Sequence, residues 1–137
     1  MTSSSDGGRR ALQLTLGAFA AVPLASGLAG ALLGPASLPG TEGPLAPDVE
    51  NEYRYTHLMY AAAAPLIWST IPRVEREGAL LRGISGALFL GGAVRLLAWR
   101  KAGRPQPALV GAAALELLGA PVLAAWQHRV ATRTRRG

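Results

Sequence analysis

The chain has 137 residues, half of them hydrophobic and 16% charged, with no cysteine and a formal net charge of +6. That length fits one domain, and the lack of thiols excludes disulfides, thiolate metal sites and cysteine chemistry. A pI near 11.1 would suggest nucleic acid in a soluble protein, but here the basic residues sit at the ends of long apolar stretches, so the expected partner is membrane lipid and not nucleic acid.

Mean hydropathy is only +0.23, yet the charges are segregated and the stretches between them are long enough to cross a bilayer. Residues 1–10 form a polar, Ser-rich leader ending in Arg9-Arg10. An arginine pair before an apolar run resembles a secretion signal, but the uncharged run 11–34 outlasts the ~7–15 residues of a signal core. It reads as an uncleaved first transmembrane helix, kinked at Pro23, with Gly30 and Gly34 offering a small-residue face to a neighbour. Residues 35–47 are a Gly/Pro loop without periodicity. Asp48 is the expected N-cap of a second helix, 49–71, with Glu50 and Glu52 at the positive end of its dipole. Its uncharged part, 55–71, is shorter than the ~20 residues a crossing needs. The first two turns are therefore expected in the interface, anchored by Tyr53 and Tyr55. Pro65 lies inside this helix and Pro72 ends it. A charged joint at 73–78 leads to a third helix, 79–99, carrying Arg82 and Arg95. A basic turn around Gly103 leads to a fourth, 107–127, and a basic tail, 128–137, closes the chain. The expected fold is all-α, an up-and-down bundle of four transmembrane helices.

Basic residues set the orientation of such a bundle. With both termini inside, Arg9, Arg10, Arg73, Arg76, Arg82, Arg129, Arg133, Arg135 and Arg136 are cytoplasmic. Arg54, Arg95, Arg100, Lys101 and Arg104 are then outside. The larger group faces in, so a multi-pass protein of the cytoplasmic (inner) membrane with both ends cytoplasmic is expected.

Glu116 is the only formal charge in the apolar run 108–126. A charge at the centre of a membrane helix costs about 2.5–3.5 kcal/mol on insertion scales, and such residues usually pair or face a wet cavity. Counting back from the turn at Ala102 places Arg95 level with Leu109, and Glu116 stands ~10 Å deeper. An Arg95–Glu116 pair is within reach, most comfortably through a water. On the second helix Tyr53, His57, Tyr60 and Ala64 share a stripe at i, i+4, i+7 and i+11, beside Glu52 and Arg54. In this reading Glu116 is a proton donor and Arg95 its partner or the anchor of an anionic headgroup. Glu52, Tyr53, Arg54, His57, Tyr60 and Arg104 line the mouth of one polar pocket. Such a set suits acid–base chemistry, an isomerase or cyclase type, or simple binding, on a lipophilic isoprenoid-like molecule. His57 and His128 offer no metal-ligand spacing and no phosphate-cradling loop is present, so no metal or cofactor is expected.

Each residue also has a plainer role. Glu116 paired with Arg95 can fix helix register, Arg95 can snorkel, and Glu52 with Arg54 can be a solvated helix start. Tyr53, Tyr55, Trp68, Trp99 and Trp126 fit an interfacial belt, and Gly91-Gly92 fits helix packing. On that view the chain is a non-catalytic accessory subunit or homo-oligomer whose small faces (Gly30, Gly34, Gly83, Ala87, Gly91) dock other helices. A transporter would need several copies.

Glu52-Tyr53-Arg54-Tyr55, Gly91-Gly92-Ala93-Val94-Arg95-Leu96, Gly103-Arg104-Pro105-Gln106-Pro107 and Leu115-Glu116-Leu117 together resemble a bacterial family of small four-helix membrane proteins. That family is known as a domain of unknown function, number 4345, and the likeness runs over 11–129. The resemblance implies a four-helix integral membrane protein and supplies no activity or catalytic residue. It singles out Glu52, Arg54, Arg95, Arg104 and Glu116. Gln106 stands where the family often carries His.

Overall fold

A computed structural model describes residues 3–136, with side chains for 6–134. The side chains of Arg135 and Arg136, expected to help set topology, lie outside the described residues. Among the described residues every regular element is helical. These elements are α1 (Ser3–Leu33), α2 (Pro47–Ala61), α3 (Ala63–Thr70), α4 (Gly78–Ala102), α5 (Pro107–Ala114) and α6 (Ala120–Arg136). A 3₁₀ turn, Gly34–Ser37, follows α1, another, Ile71–Arg73, follows α3, and one π-helical stretch, Leu115–Gly119, joins α5 to α6. They make four helical stretches, all-α as expected. Three of them are long and apolar enough to cross a membrane: Asp6–Ser37, Gly78–Ala102 and Pro107–Thr134.

The second stretch is not among those three. It is interrupted by a turn at Ala62, because Pro65 has no N–H to give the carbonyl of Ala61. The pieces on either side are 15 and 8 residues long. Its start also departs from expectation. Pro47 occupies the first helical turn, Ala46 is the N-cap, and no side chain caps the end. Proline suits that position because its missing N–H would be unpaired there in any helix. Asp48 and Glu50 stand in the first turn instead. Helix also extends beyond both ends of the apolar sequence, through the leader from Ser3 and along the tail to Arg136.

The chain divides into two compact units, Thr15–Ile71 on one hand and Met1–Leu14 with Pro72–Gly137 on the other. In the first, Leu16, Ala20, Pro23, Gly27 and Gly30 are buried at intervals of three or four along α1, the stripe of a packed helix face. The small residues let α2 come close. A Cβ on Gly27 would stand 2.6 Å from the Ala61 nitrogen, and one on Gly30 would overlap the His57 ring. At the other end of this unit the Trp68 indole N–H donates to the Gly17 carbonyl at 3.3 Å.

In the second unit the start of α1 is held to the joint before α4. The Arg9 Nε donates to Glu75 Oε2 at 3.1 Å, and its Nη2 donates to the Pro72 carbonyl at 2.9 Å. Gln127 of α6, 2% exposed, donates from Nε2 to the Val74 carbonyl at 2.9 Å. Leu12, Val74, Leu81, Leu123 and Val130 are buried in this unit. Desolvation pushes the Glu75 carboxyl up, but its own backbone amide, the Arg9 hydrogen bond and the charges of Arg9 and Arg76 outweigh that. The result is a pKa below the ordinary 4.5.

Two outcomes follow from this packing. Gly30→Leu should destabilise the protein by about 1–3 kcal/mol through overpacking, read as a lower Tm in detergent. Gly86→Ala, where nothing lies within 4 Å, should be neutral or slightly stabilising, and equal melting of the glycine-to-leucine variant and wild type would refute the close approach. Because the folded pKa of Glu75 is depressed, its contribution is complete above 4.5 and is lost as pH falls through the lowered value. Arg9 is 36% exposed, so water screens the pair and the loss is at most ~1 kcal/mol. Glu75→Gln should flatten the acid limb of a Tm-versus-pH curve, and an unchanged limb would refute the assignment.

Candidate functional site

Pro121 governs the geometry around Glu116. In a regular helix its nitrogen would donate to the Leu117 carbonyl, and proline cannot. The backbone widens just before it, and the Ala120 N–H reaches back five residues to the Leu115 carbonyl. Turns of this π type are rare and recur at functional sites. The wide turn lies opposite the point of α4 that carries no side chain. A Cβ on Gly92 would stand 2.7 Å from Leu117 Cγ and 3.1 Å from Glu116 Cβ, so only glycine allows this approach.

Glu116 is 4% exposed. Its Oε2 accepts a hydrogen bond from Arg95 Nε at 2.9 Å, a direct contact where a water-bridged one was expected to be more comfortable. Charge-assisted bonds of this kind are about twice as strong as neutral ones, and removing one partner of a buried pair strands the other. Arg95 is half-buried and touches a second feature. Together with Trp99, Gly103, Arg104, Leu109 and Ala113 it lines a cavity of about 280 Å³ at the turn between α4 and α5. Glu116 does not line the cavity; Arg95 contacts both.

The other expected site residues, Glu52, Tyr53, Arg54, His57 and Tyr60, belong to the unit of residues 15–71. Arg54 pairs with Glu50. Its Nη2 lies 2.6 Å from Glu50 Oε1, and its Nη1 donates to the carbonyls of Ala31 and Leu32 at 3.0 and 2.7 Å. The local reason is Pro35, which has no N–H to offer the Ala31 carbonyl, so a cation fills the gap at the negative end of the helix dipole. Gly34 makes the chain reversal there with a φ of 69°. Glu52 is exposed, and no ion pair to it forms among the described residues.

The stripe that meets α1 therefore runs Glu50, Arg54, His57, Ala61, with only His57 shared with the expected one. Tyr53 stacks on His57 with ring centroids 3.9 Å apart. His57 Nδ1 is 2.8 Å from the Tyr53 carbonyl, and the Tyr53 hydroxyl is 3.3 Å from Ser37 Oγ. Tyr60 is half-buried. Asp48, Glu52, Tyr53, Thr56 and His57 line a surface groove of about 450 Å³. Among the described residues no three His, Asp or Glu side chains are placed to share a metal ion. Sequence reasoning overlooked Pro121, although a proline within a long apolar run five residues after an acid was visible. It read Glu50 only as a charge suited to the helix dipole, not as the partner of Arg54 four residues on.

No curated protein and no solved structure matches the chain. The family described as Domain of unknown function (DUF4345) matches residues 11–127. The chain belongs to that family.

Proposed function

We propose that the protein crosses the membrane four times, with α2 and α3 together making the second crossing and both termini cytoplasmic, and that the cavity beside Arg95 binds a lipophilic anion. The single observation that carries this reading is the guanidinium of Arg95, held by a buried carboxylate yet lining a cavity with a second cation, Arg104. Arg104 and the terminal nitrogens of Arg95 are suited to a carboxylate or phosphate, and Trp99, Leu109 and Ala113 to the adjoining apolar part. A volume of about 280 Å³ sits just below the ~300 Å³ at which ligand pockets usually begin. It fits a headgroup and a short length of tail, with the remainder in lipid, as an isoprenoid-like amphiphile would require.

Glu116 is the counter-ion that keeps Arg95 from being an unpaired cation in an apolar medium. The geometry favours binding over general-acid catalysis, because Glu116 is engaged with Arg95 and does not line the cavity. An anion that draws Arg95 away would leave Glu116 without its partner and turned to the bound molecule, the arrangement through which the same site would serve isomerisation or cyclisation. A non-catalytic docking role is supported by Gly83, Gly86 and Ala87 of α4, which are exposed with open space at both glycines.

Removing either charge should lower thermal stability by about 1–3 kcal/mol, the cost of stranding a buried polar group. The double variant Arg95→Gln/Glu116→Gln should recover part of that loss. A coupling energy near zero would contradict the pair as the organising contact. Arg104→Gln should leave melting nearly unchanged while weakening binding of an isoprenyl monophosphate, read by intrinsic tryptophan fluorescence. Equal binding by wild type and Arg104→Gln would remove the cavity as the binding site.

A further inference from the structure

The apolar part of the last helix ends near Trp126, but helix continues to Arg136, which carries the basic tail into an ordered position. Arg129 and Arg133 are one turn apart on the same face, and both are exposed. With Trp126, Val130 and Gly8 of α1 they line a groove of about 150 Å³, several times the ~30 Å³ a water molecule occupies in the liquid. A Cβ at Gly8 would meet nothing within 4 Å, so the groove stays open on the α1 side.

Two other cations of this unit are committed to acids. Arg9 pairs with Glu75 and Arg73 with Glu77, whereas among the described residues no ion pair forms to Arg129 or Arg133. Asp6, the nearest acid in sequence to Gly8, is exposed and is likewise outside those pairs. Arg10, Arg76 and Arg82 are exposed and outside those pairs too, but of these cations only Arg129 and Arg133 line the groove, beside an indole of the kind that settles at the headgroup level. We propose that this groove seats the phosphodiester of an anionic phospholipid, with Arg129 and Arg133 as the charge-assisted donors and Trp126 marking the acyl boundary. The proposal rests on the membrane-spanning reading and is independent of the cavity at Arg95.

The test compares phosphatidylglycerol, phosphatidylcholine and inorganic phosphate as additives to the detergent-purified protein, read by thermal shift and by native mass spectrometry of retained lipid. Wild type should retain phosphatidylglycerol over phosphatidylcholine and melt higher with it. Each arginine is worth about fivefold in affinity, so Arg129→Gln/Arg133→Gln should bind phosphatidylglycerol roughly 25-fold more weakly. Gly8→Leu fills the groove without changing charge and should lose the preference as well, which separates a seat from a diffuse positive field and does not depend on the double variant folding. Arg100→Gln, which removes a cation outside the groove, should keep it. Equal retention of the two lipids by wild type overturns the proposal, as does an undiminished preference in Gly8→Leu. Equal stabilisation by inorganic phosphate would assign the site to a free anion and overturn the lipid.

Discussion

The contact between Glu116 and Arg95 constrains everything around it. An acid in an apolar run must be matched by a cation, and the cation must come from a facing helix at the right depth. That requirement explains the glycine on α4 and the wide turn before Pro121, because both bring the last helix close enough for a direct bond. It also explains why Arg95 turns toward Glu116 where it lines a cavity, when an isolated arginine would snorkel toward headgroups.

The unit of residues 15–71 solves a different problem with the same chemistry. Pro35 leaves the end of α1 with an orphan carbonyl, and Arg54 supplies the donor while Glu50 neutralises it. Close approach at Gly27 and Gly30 is what puts Arg54 within reach. Arg54, expected at the mouth of a pocket, caps α1 and also lines a groove with Ala31, Asn51, Tyr55 and Leu58, while the groove beside Tyr53 and His57 has the exposed Glu52 as its charged group besides Asp48.

Much of this was legible in the sequence, for identifiable reasons. Segregation of charge marks the helical stretches, and counting residues back from the Ala102 turn is enough to bring Arg95 and Glu116 together, since helical rise is fixed. Gly30, Gly34 and Gly92 declared themselves as packing positions through their lack of side chains. What was not legible depends on which helix supplies a missing donor. A proline removes one N–H predictably, but whether the backbone kinks, breaks as at Ala62, or widens as at Leu115–Gly119 depends on the neighbour. The partner of Arg54 is Glu50, four residues earlier on the same helix face, a spacing that the sequence carries but that the carbonyls of Ala31 and Leu32 complete only in three dimensions. Neither Asp48 nor any other side chain caps α2, because Pro47 already meets the needs of that helix start.

The most direct examination of the buried contact is a solid-state NMR recoupling measurement in lipid bilayers, between ¹⁵N in the Arg95 guanidinium and the ¹³C carboxyl of Glu116. A strong dipolar coupling, as a 2.9 Å Nε–Oε2 separation demands, is the expected result, and it should vanish in Glu116→Gln. Absence of coupling in the wild type, with the Glu116 carboxyl instead in contact with acyl-chain protons, would mean that the two charges do not meet and that the cavity beside Arg95 has lost its foundation.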